Sequence, residues 1–249
     1  MQETLRVRRS ETVVRAASPR KLEPVELAAP KDDVGQLLAE QIAYYRARAG
    51  EYDETAPWGL LPGYAELVAA LEAFAPRGRV LELACGTGQW TGELAKYASH
   101  VTALDASPEV IAISRAKVSH DHTQYVEADL FSWSPPQTYD VVFFSAWLSH
   151  VPPQRFDDFW ALVAGCLNDT GRVFVIDELP AVAHSEQPVH GAAAPAVERP
   201  LRTGEHFRTI KVFYEPGELQ VRLGKLGWDV ETHTVGWRVF YAIAQRAKS

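Results

Sequence analysis

Cysteine is scarce in this chain. Cys85 and Cys166 are the only two in 249 residues, and their spacing fits no metal motif. That excludes a disulfide-stapled secreted scaffold and points to a reducing cytoplasm. Positive charge is in deficit as well. The 25 Lys and Arg stand against 32 Asp and Glu, a formal net charge of -7. A general nucleic-acid binder needs a basic face, so none is expected, although net charge says nothing of a local basic pocket. No apolar run reaches the roughly 18 residues of a membrane span, and the arginine-bearing amino terminus lacks the apolar core of a signal peptide. No membrane partner is therefore expected. His184, His190 and His206 share one irregular stretch without the helical spacing of a metal motif, and no metal is expected. Internal repeats are missing, as are low-complexity tracts beyond the short "GAAAPA".

What remains is 47% hydrophobic and 23% charged, the composition of a single α/β domain large enough to bury a core. Residues 1–33 lack apolar periodicity and read as a disordered tail, leaving 34–249 as the domain. "VGQLLAEQIAYYRARAGEYDE" (34–54) has helical spacing, with Leu37, Leu38, Gln41, Ile42 and Tyr45 on or near one face. A second helix runs from about Gly63 to Phe74. Strands and helices then alternate: "RVLELA", "GQWTGELAKYA", "VTALDA", "SPEVIAISRAKV" (Ser107 as N-cap and Pro108 at N1), "TQYVEADL", "YDVVFFSAW", a helix near 155–167, and "GRVFVIDEL". Such alternation predicts a parallel sheet with helices on both faces. Residues 180–206 break the rhythm and read as a substrate-side insert. "HFRTIKVFY" reads as a strand and "EPGELQVRLGKLG" as a helix. "WDVETHTV" and "WRVFYAIAQR" close the chain as a hairpin.

Open parallel sheets bind ligands beyond the carboxyl ends of their strands. Gly86 and Gly88 lie where the first strand turns into its helix, so a ligand can approach the backbone and meet the amide end of the helix. A nicotinamide dinucleotide asks for GxGxxG, but Trp90 and Thr91 follow here, which speaks against an NAD-dependent oxidoreductase. Asp105 ends the second strand, where an acid accepts the hydroxyls of a ribose. Asp129 ends the third beside Leu130 and Phe131, a setting suited to adenine. The combination describes a nucleoside site without a pyrophosphate cradle. Taken singly, each feature also has a plain structural reading: a tight turn, a helix cap, a strand-end acid.

"LELACGTGQW", "TALDAS" and "VEADLF" resemble the motifs of class I S-adenosylmethionine-dependent methyltransferases, and the likeness spans about residues 36–246. It implies a Rossmann-like, doubly wound, mostly parallel seven-stranded sheet with a C-terminal antiparallel hairpin and an N-terminal helical cover. The implied cofactor is S-adenosyl-L-methionine. Glu82 would orient its methionyl end, Asp105 would hold the ribose, and Asp129 or Leu130 would recognise the adenine. Ala84 stands where the family carries a glycine, and with Gly86, Gly88, Ala106 and Ser145 it completes the implied cofactor contacts. Tyr45, Arg48 and Tyr52 would close the site from the cover. Trp90 either touches the methionine portion or simply packs in the core.

"QIAYYRARAGEYDET", "VVFFSAWLSHVPPQRFDDFW" and "RTGEHFRTIKVF" resemble more narrowly a group of bacterial O-methyltransferases acting on compact acids, phosphonates among them. Methyl transfer from a sulfonium is an in-line displacement. An anionic acceptor oxygen therefore needs holding, whereas a neutral hydroxyl benefits from a base. By this resemblance Arg199 and Lys211 match cationic positions for an acidic small-molecule acceptor. The alternative is that they are surface charges whose stems cover apolar area. In a strand over "HFRTIKVF", Phe207, Thr209, Lys211 and Phe213 share a face. His150, at the ligand end of the fourth strand, serves as base, hydrogen-bond donor or loop brace; with an anionic acceptor the donor role is favoured. The remaining rivals are a methyltransferase for a hydroxyl, amine or carbon of a natural-product intermediate, and a non-catalytic cofactor-binding protein. The chain is read as a cytoplasmic monomer or homodimer.

Overall fold

The computed structural model describes residues 33–56, 58–118 and 120–248; the tail assigned to residues 1–33 lies outside these but for Asp33. The helices are α1 (Val34–Arg48), α2 (Tyr52–Thr55), α3 (Tyr64–Phe74), α4 (Thr91–Ala95), α5 (Pro108–Lys117), α6 (Phe156–Cys166) and α7 (Pro216–Lys225). The strands are β1 (Arg79–Leu83), β2 (His100–Asp105), β3 (Thr123–Glu127), β4 (Tyr139–Ser145), β5 (Leu167–Glu178), β6 (Gln187–Pro188), β7 (Ala196–Pro200), β8 (His206–Ile210), β9 (Trp228–Val235) and β10 (Val239–Arg246).

Seven strands form one sheet in the order β3-β2-β1-β4-β5-β10-β9, parallel from β3 to β5 and antiparallel across β10 and β9. The doubly wound sheet with its closing hairpin is thus as the sequence led one to expect. Side-chain alternation sorts the core into two layers. Leu81, Leu83, Val142, Phe144, Val173 and Val175 meet α6 and α7 through Phe159, Trp160, Leu219 and Leu223. Val80, Val141, Phe143, Phe174 and Ile176 meet α3 and α4 through Leu67, Leu71, Phe74 and Leu94. Each such side chain contributes about 1.5–3 kcal/mol by leaving water. Among the described residues no helix is long and apolar enough to cross a membrane.

Four local readings are corrected. The helix expected over 34–54 ends at Arg48, passes through a 3-10 turn at Ala49–Glu51 and resumes as the one-turn α2. The helix expected from Gly88 shortens to Thr91–Ala95, because Gly86 and Gly88 are left-handed (φ 53° and 81°). The supposedly irregular 180–206 carries β6 and β7, which pair antiparallel with β8 in a second, three-stranded sheet. The strand over "HFRTIKVFY" stops at Ile210, so alternation does not carry through to Lys211; the Lys211 N–H instead bonds Pro195 O at 2.9 Å. The small second sheet presents Ala196 and Ile210, and the segment entering β7 presents Ala194, to Leu37 of α1, giving the cover helix a core of its own.

Candidate active site

Strand order reverses between β1 and β4, and a cleft of about 840 Å³ opens beyond their carboxyl ends, where ligands of such sheets bind. Ala84, Gly86, Ala106 and Ser145 line it. A side arm of about 330 Å³ shares Ala84, Gly86, Ser145 and Tyr52 with the cleft and reaches Glu82 and Trp90. Ala84 and Ala146, the residues just past β1 and β4, are left-handed (φ 54° and 49°). That costs a non-glycine residue about 1–2 kcal/mol, and such strain concentrates at ligand sites. The two glycines divide the work. Gly86 borders the cleft, and nothing lies within 4 Å of where its Cβ would be. Gly88 lines neither cavity. A Cβ there would collide with Ser114 Oγ and lie 3.0 Å from Ser114 Cα, so close packing of the loop on α5 requires this glycine.

Asp105 lines the cleft while bracing the loop: one oxygen accepts from Gly86 N–H and the other from Ser107 N–H, both at 2.9 Å. Burial pushes its carboxyl up, and these amides pull it part of the way back. Asp129 sits two residues past β3, exposed on the rim, accepting from Phe131 N–H at 3.0 Å, with buried Leu130 beside it in the wall. Glu82 shares the face of Val80 and is 2% exposed. Its Oε2 accepts from Thr91 Oγ1 at 2.6 Å, and burial pushes its carboxyl up to about 8 against that bond. Trp90 packs on Trp58, Tyr64 and Phe143, so its core role is real, and it lines the arm as well. Trp90 Nε1 and Ser145 Oγ are buried without a partner among the described residues. A carboxylate together with unpartnered donors matches what an α-amino acid end requires, and acids set among apolar walls match an adenosine. The residues present therefore fit S-adenosylmethionine.

The cover helix has two working faces. Leu37 and Tyr44 are buried away from it, whereas Leu38, Ile42, Tyr45 and the buried Gln41 line the cleft together with Tyr52. Arg48 does not line it. Its guanidinium lies over the rings of Tyr52 (4.8 Å) and Tyr44 (5.6 Å) and donates to Thr55 Oγ1 at 2.8 Å. Asp53, unnoticed in the sequence, ties the cover to the glycine loop. It accepts from Thr87 Oγ1 at 2.6 Å and Gln89 Nε2 at 2.8 Å and pairs with Lys117.

At the far end His150 lines the cleft but is only 3% exposed. Its Nδ1 lies 2.6 Å from Ile210 O and its Nε2 2.9 Å from Tyr45 Oη. A carbonyl can only accept, so Nδ1 carries the proton, and a neutral ring must accept from Tyr45 at Nε2. Burial, then the charges of Lys211 and Arg199, hold its pKa well below the usual histidine range. In this arrangement His150 braces Tyr45. Arg199 Nη1 donates to Tyr45 Oη at 3.4 Å while Nε and Nη2 meet Glu186. Lys211 Nζ donates to Glu178 Oε2 at 2.7 Å and Ser149 Oγ at 3.0 Å. Burial raises the Glu178 carboxyl, but Lys211, Arg199 and Arg238 outweigh it and hold it below its ordinary value. Neither cation lines the cleft itself: Arg199 reaches the wall residue Tyr45, whereas the partners of Lys211, Glu178 and Ser149, do not line it. Glu178 and Glu186 escaped the sequence reading, because acids far along the chain carry no local sign of pairing. Thr87 was within reach, lying between two named glycines.

Residues 80–171 match the family model described as "Methyltransferase domain". A solved DhpI–SAH complex is 38% identical, with a TM-score of 0.76, and the match covers 87% of this chain and 100% of that one. A DhpI–SAM–HEP complex is 39% identical, with a TM-score of 0.72, covering 84% and 97%. Among curated relatives, a ubiquinone biosynthesis O-methyltransferase of Xylella fastidiosa (strain 9a5c) is 32% identical over 161 residues, 61% of either chain. A trans-aconitate 2-methyltransferase of Escherichia coli O1:K1 / APEC is 36% identical over 75 residues, 29% of either chain. The matched segment thus spans well under two thirds of the length of these two relatives.

Proposed function

We propose, for a chain that belongs to the class I S-adenosylmethionine-dependent methyltransferases, that the methyl acceptor is an acidic oxygen of a small molecule. When bound, the cofactor supplies an electrophilic methyl on a sulfonium. Glu82 would receive its ammonium, Asp105 its ribose hydroxyls and the Asp129–Leu130 edge its adenine, with Tyr45 and Tyr52 excluding water from the cover side.

The observation that carries the acceptor reading is the state of His150. Both ring nitrogens are spent on Ile210 O and Tyr45, and burial keeps the ring neutral. A neutral hydroxyl acceptor would call for a free base, and this ring is not free to be one. An acid already ionised at pH 7 needs only placement, and Arg199, behind Tyr45, and Lys211, whose charge is felt at the His150 ring, provide the field for it. The printed names of relatives run the same way: DhpI was solved with SAM and HEP together, and one curated relative is a trans-aconitate methyltransferase. Transfer from labelled cofactor to a panel of phosphonates, carboxylates and phenols tests this. Turnover should favour the acids, stay flat from pH 6 to 9 and fall in Lys211→Ala with cofactor binding retained. Preference for phenols, with a rate climbing through that range, would overturn it.

A further inference from the structure

The two cations behind the acceptor end are neutralised in different ways. Lys211 has a side chain only 1% exposed, and its partner Glu178 also accepts from Arg238 at 3.3 Å. That network is closed, and opening it would strand a buried charge. Arg199 offers Nε, at 3.3 Å from Oε2, and Nη2 to the carboxylate of Glu186. This is the two-pronged fork with which a guanidinium takes carboxylates and phosphonates. Its remaining nitrogen reaches Tyr45, a wall residue of the cleft.

We propose that Glu186 is an internal stand-in for the acidic acceptor, occupying the fork of Arg199 until an incoming carboxylate or phosphonate displaces it. This rests on the acidic-acceptor reading above. The segment bearing Glu186 is built to move. It follows the 3-10 turn Pro180–Ser185, in which Val182 is the one buried residue, and precedes β6, which is two exposed residues long. Few buried contacts mean a low cost of local opening. The Arg199 and Glu186 side chains are 15% and 18% exposed, so water can take up the released carboxylate. Charge is conserved in the exchange: one anion leaves the guanidinium as another arrives. The occupied state lowers apparent acceptor affinity by the fraction of molecules with a free fork. It thereby rejects anions that bring no second contact.

The test titrates the full-length chain, saturated with S-adenosylhomocysteine, with methylphosphonate by calorimetry. Glu186→Gln and Glu186→Ala should bind it about tenfold more tightly than wild type, the loss of one charged competitor. Their cofactor affinity should be unchanged, and Arg199→Ala should abolish anion binding. Should both Glu186 variants bind no better while Arg199→Ala still abolishes binding, the stand-in is overturned and the acidic acceptor survives. Anion affinity indifferent to Arg199→Ala, or absent from every form, overturns both. The near-isosteric Gln variant keeps the experiment decisive if the Ala variant does not fold.

Discussion

Cofactor binding should expel a proton from Glu82. Its folded carboxyl titrates near 8 because burial outweighs the bond from Thr91. At pH 7 it is therefore about nine-tenths protonated. Below 4.5, the ordinary value, folded and unfolded chains both hold the proton; between 4.5 and 8 the folded chain alone holds it. Stability accordingly falls as pH rises through that window, by about 3 kcal/mol at pH 7. An ammonium brought beside the carboxylate lowers its pKa by about 1–3 units, so binding at pH 7 releases between about 0.4 and 0.9 proton. The ligand's own amine, with a pKa near 8, takes back only about 0.1. Calorimetry of S-adenosylhomocysteine binding in buffers of different ionisation enthalpy reads the proton count as a slope. The release should vanish in Glu82→Gln, leaving only the small uptake by the amine, and above about pH 9 the wild-type slope should change sign, because the carboxyl is already ionised while the ligand's amine must take up a proton. A wild-type slope of zero at pH 7, or an equal slope in Glu82→Gln, would refute the placement of the ammonium.

Gly88→Ala should destabilise by about 2–3 kcal/mol in urea unfolding, since its Cβ meets Ser114 and the backbone is left-handed. Gly86→Ala should cost only about 1 kcal/mol of backbone strain in the same assay yet weaken S-adenosylhomocysteine binding, because its open side is the cleft. Ala146→Gly should stabilise by up to about 1 kcal/mol, the left-handed penalty less the entropy of a glycine. Asp53→Ala should speed cofactor dissociation about tenfold in stopped-flow fluorescence, by freeing Thr87 and Gln89 together. Lys117→Met, which removes only a half-exposed ion pair, should change that rate less than about threefold.

The sheet was legible because each of its strands alternates or runs apolar within a short window, and because Ser107 and Pro108 mark the start of α5 in the sequence itself. The second sheet was not. β6 is two residues ending in Pro188, β7 ends in Pro200, and both acquire strand geometry only by pairing. The α1 stripe was seen as a single face, yet it serves two walls, since neighbouring positions turn towards the second sheet and towards the cleft.

Charge pairing explains what the sequence does not show at the acceptor end. Arg199 and Lys211 look like free cations in the sequence because Glu186 and Glu178 are 13 and 33 residues away. His150 looks like a donor because nothing in "WLSHVPP" announces that Ile210 O, 60 residues on, will claim its Nδ1 proton. Glu82 is the opposite case. A carboxylate inside "VLELA" has no purpose in a sheet interior, and folding leaves it buried with, among the described residues, Thr91 as its side-chain partner. A charge placed where folding gains nothing from it is visible in sequence because it violates a local pattern. A charge that folding neutralises violates none. The cofactor end of this cleft could therefore be read from residues 80–90, whereas its acceptor end emerges only where the second sheet brings Arg199 and Lys211 beside α1 and β5.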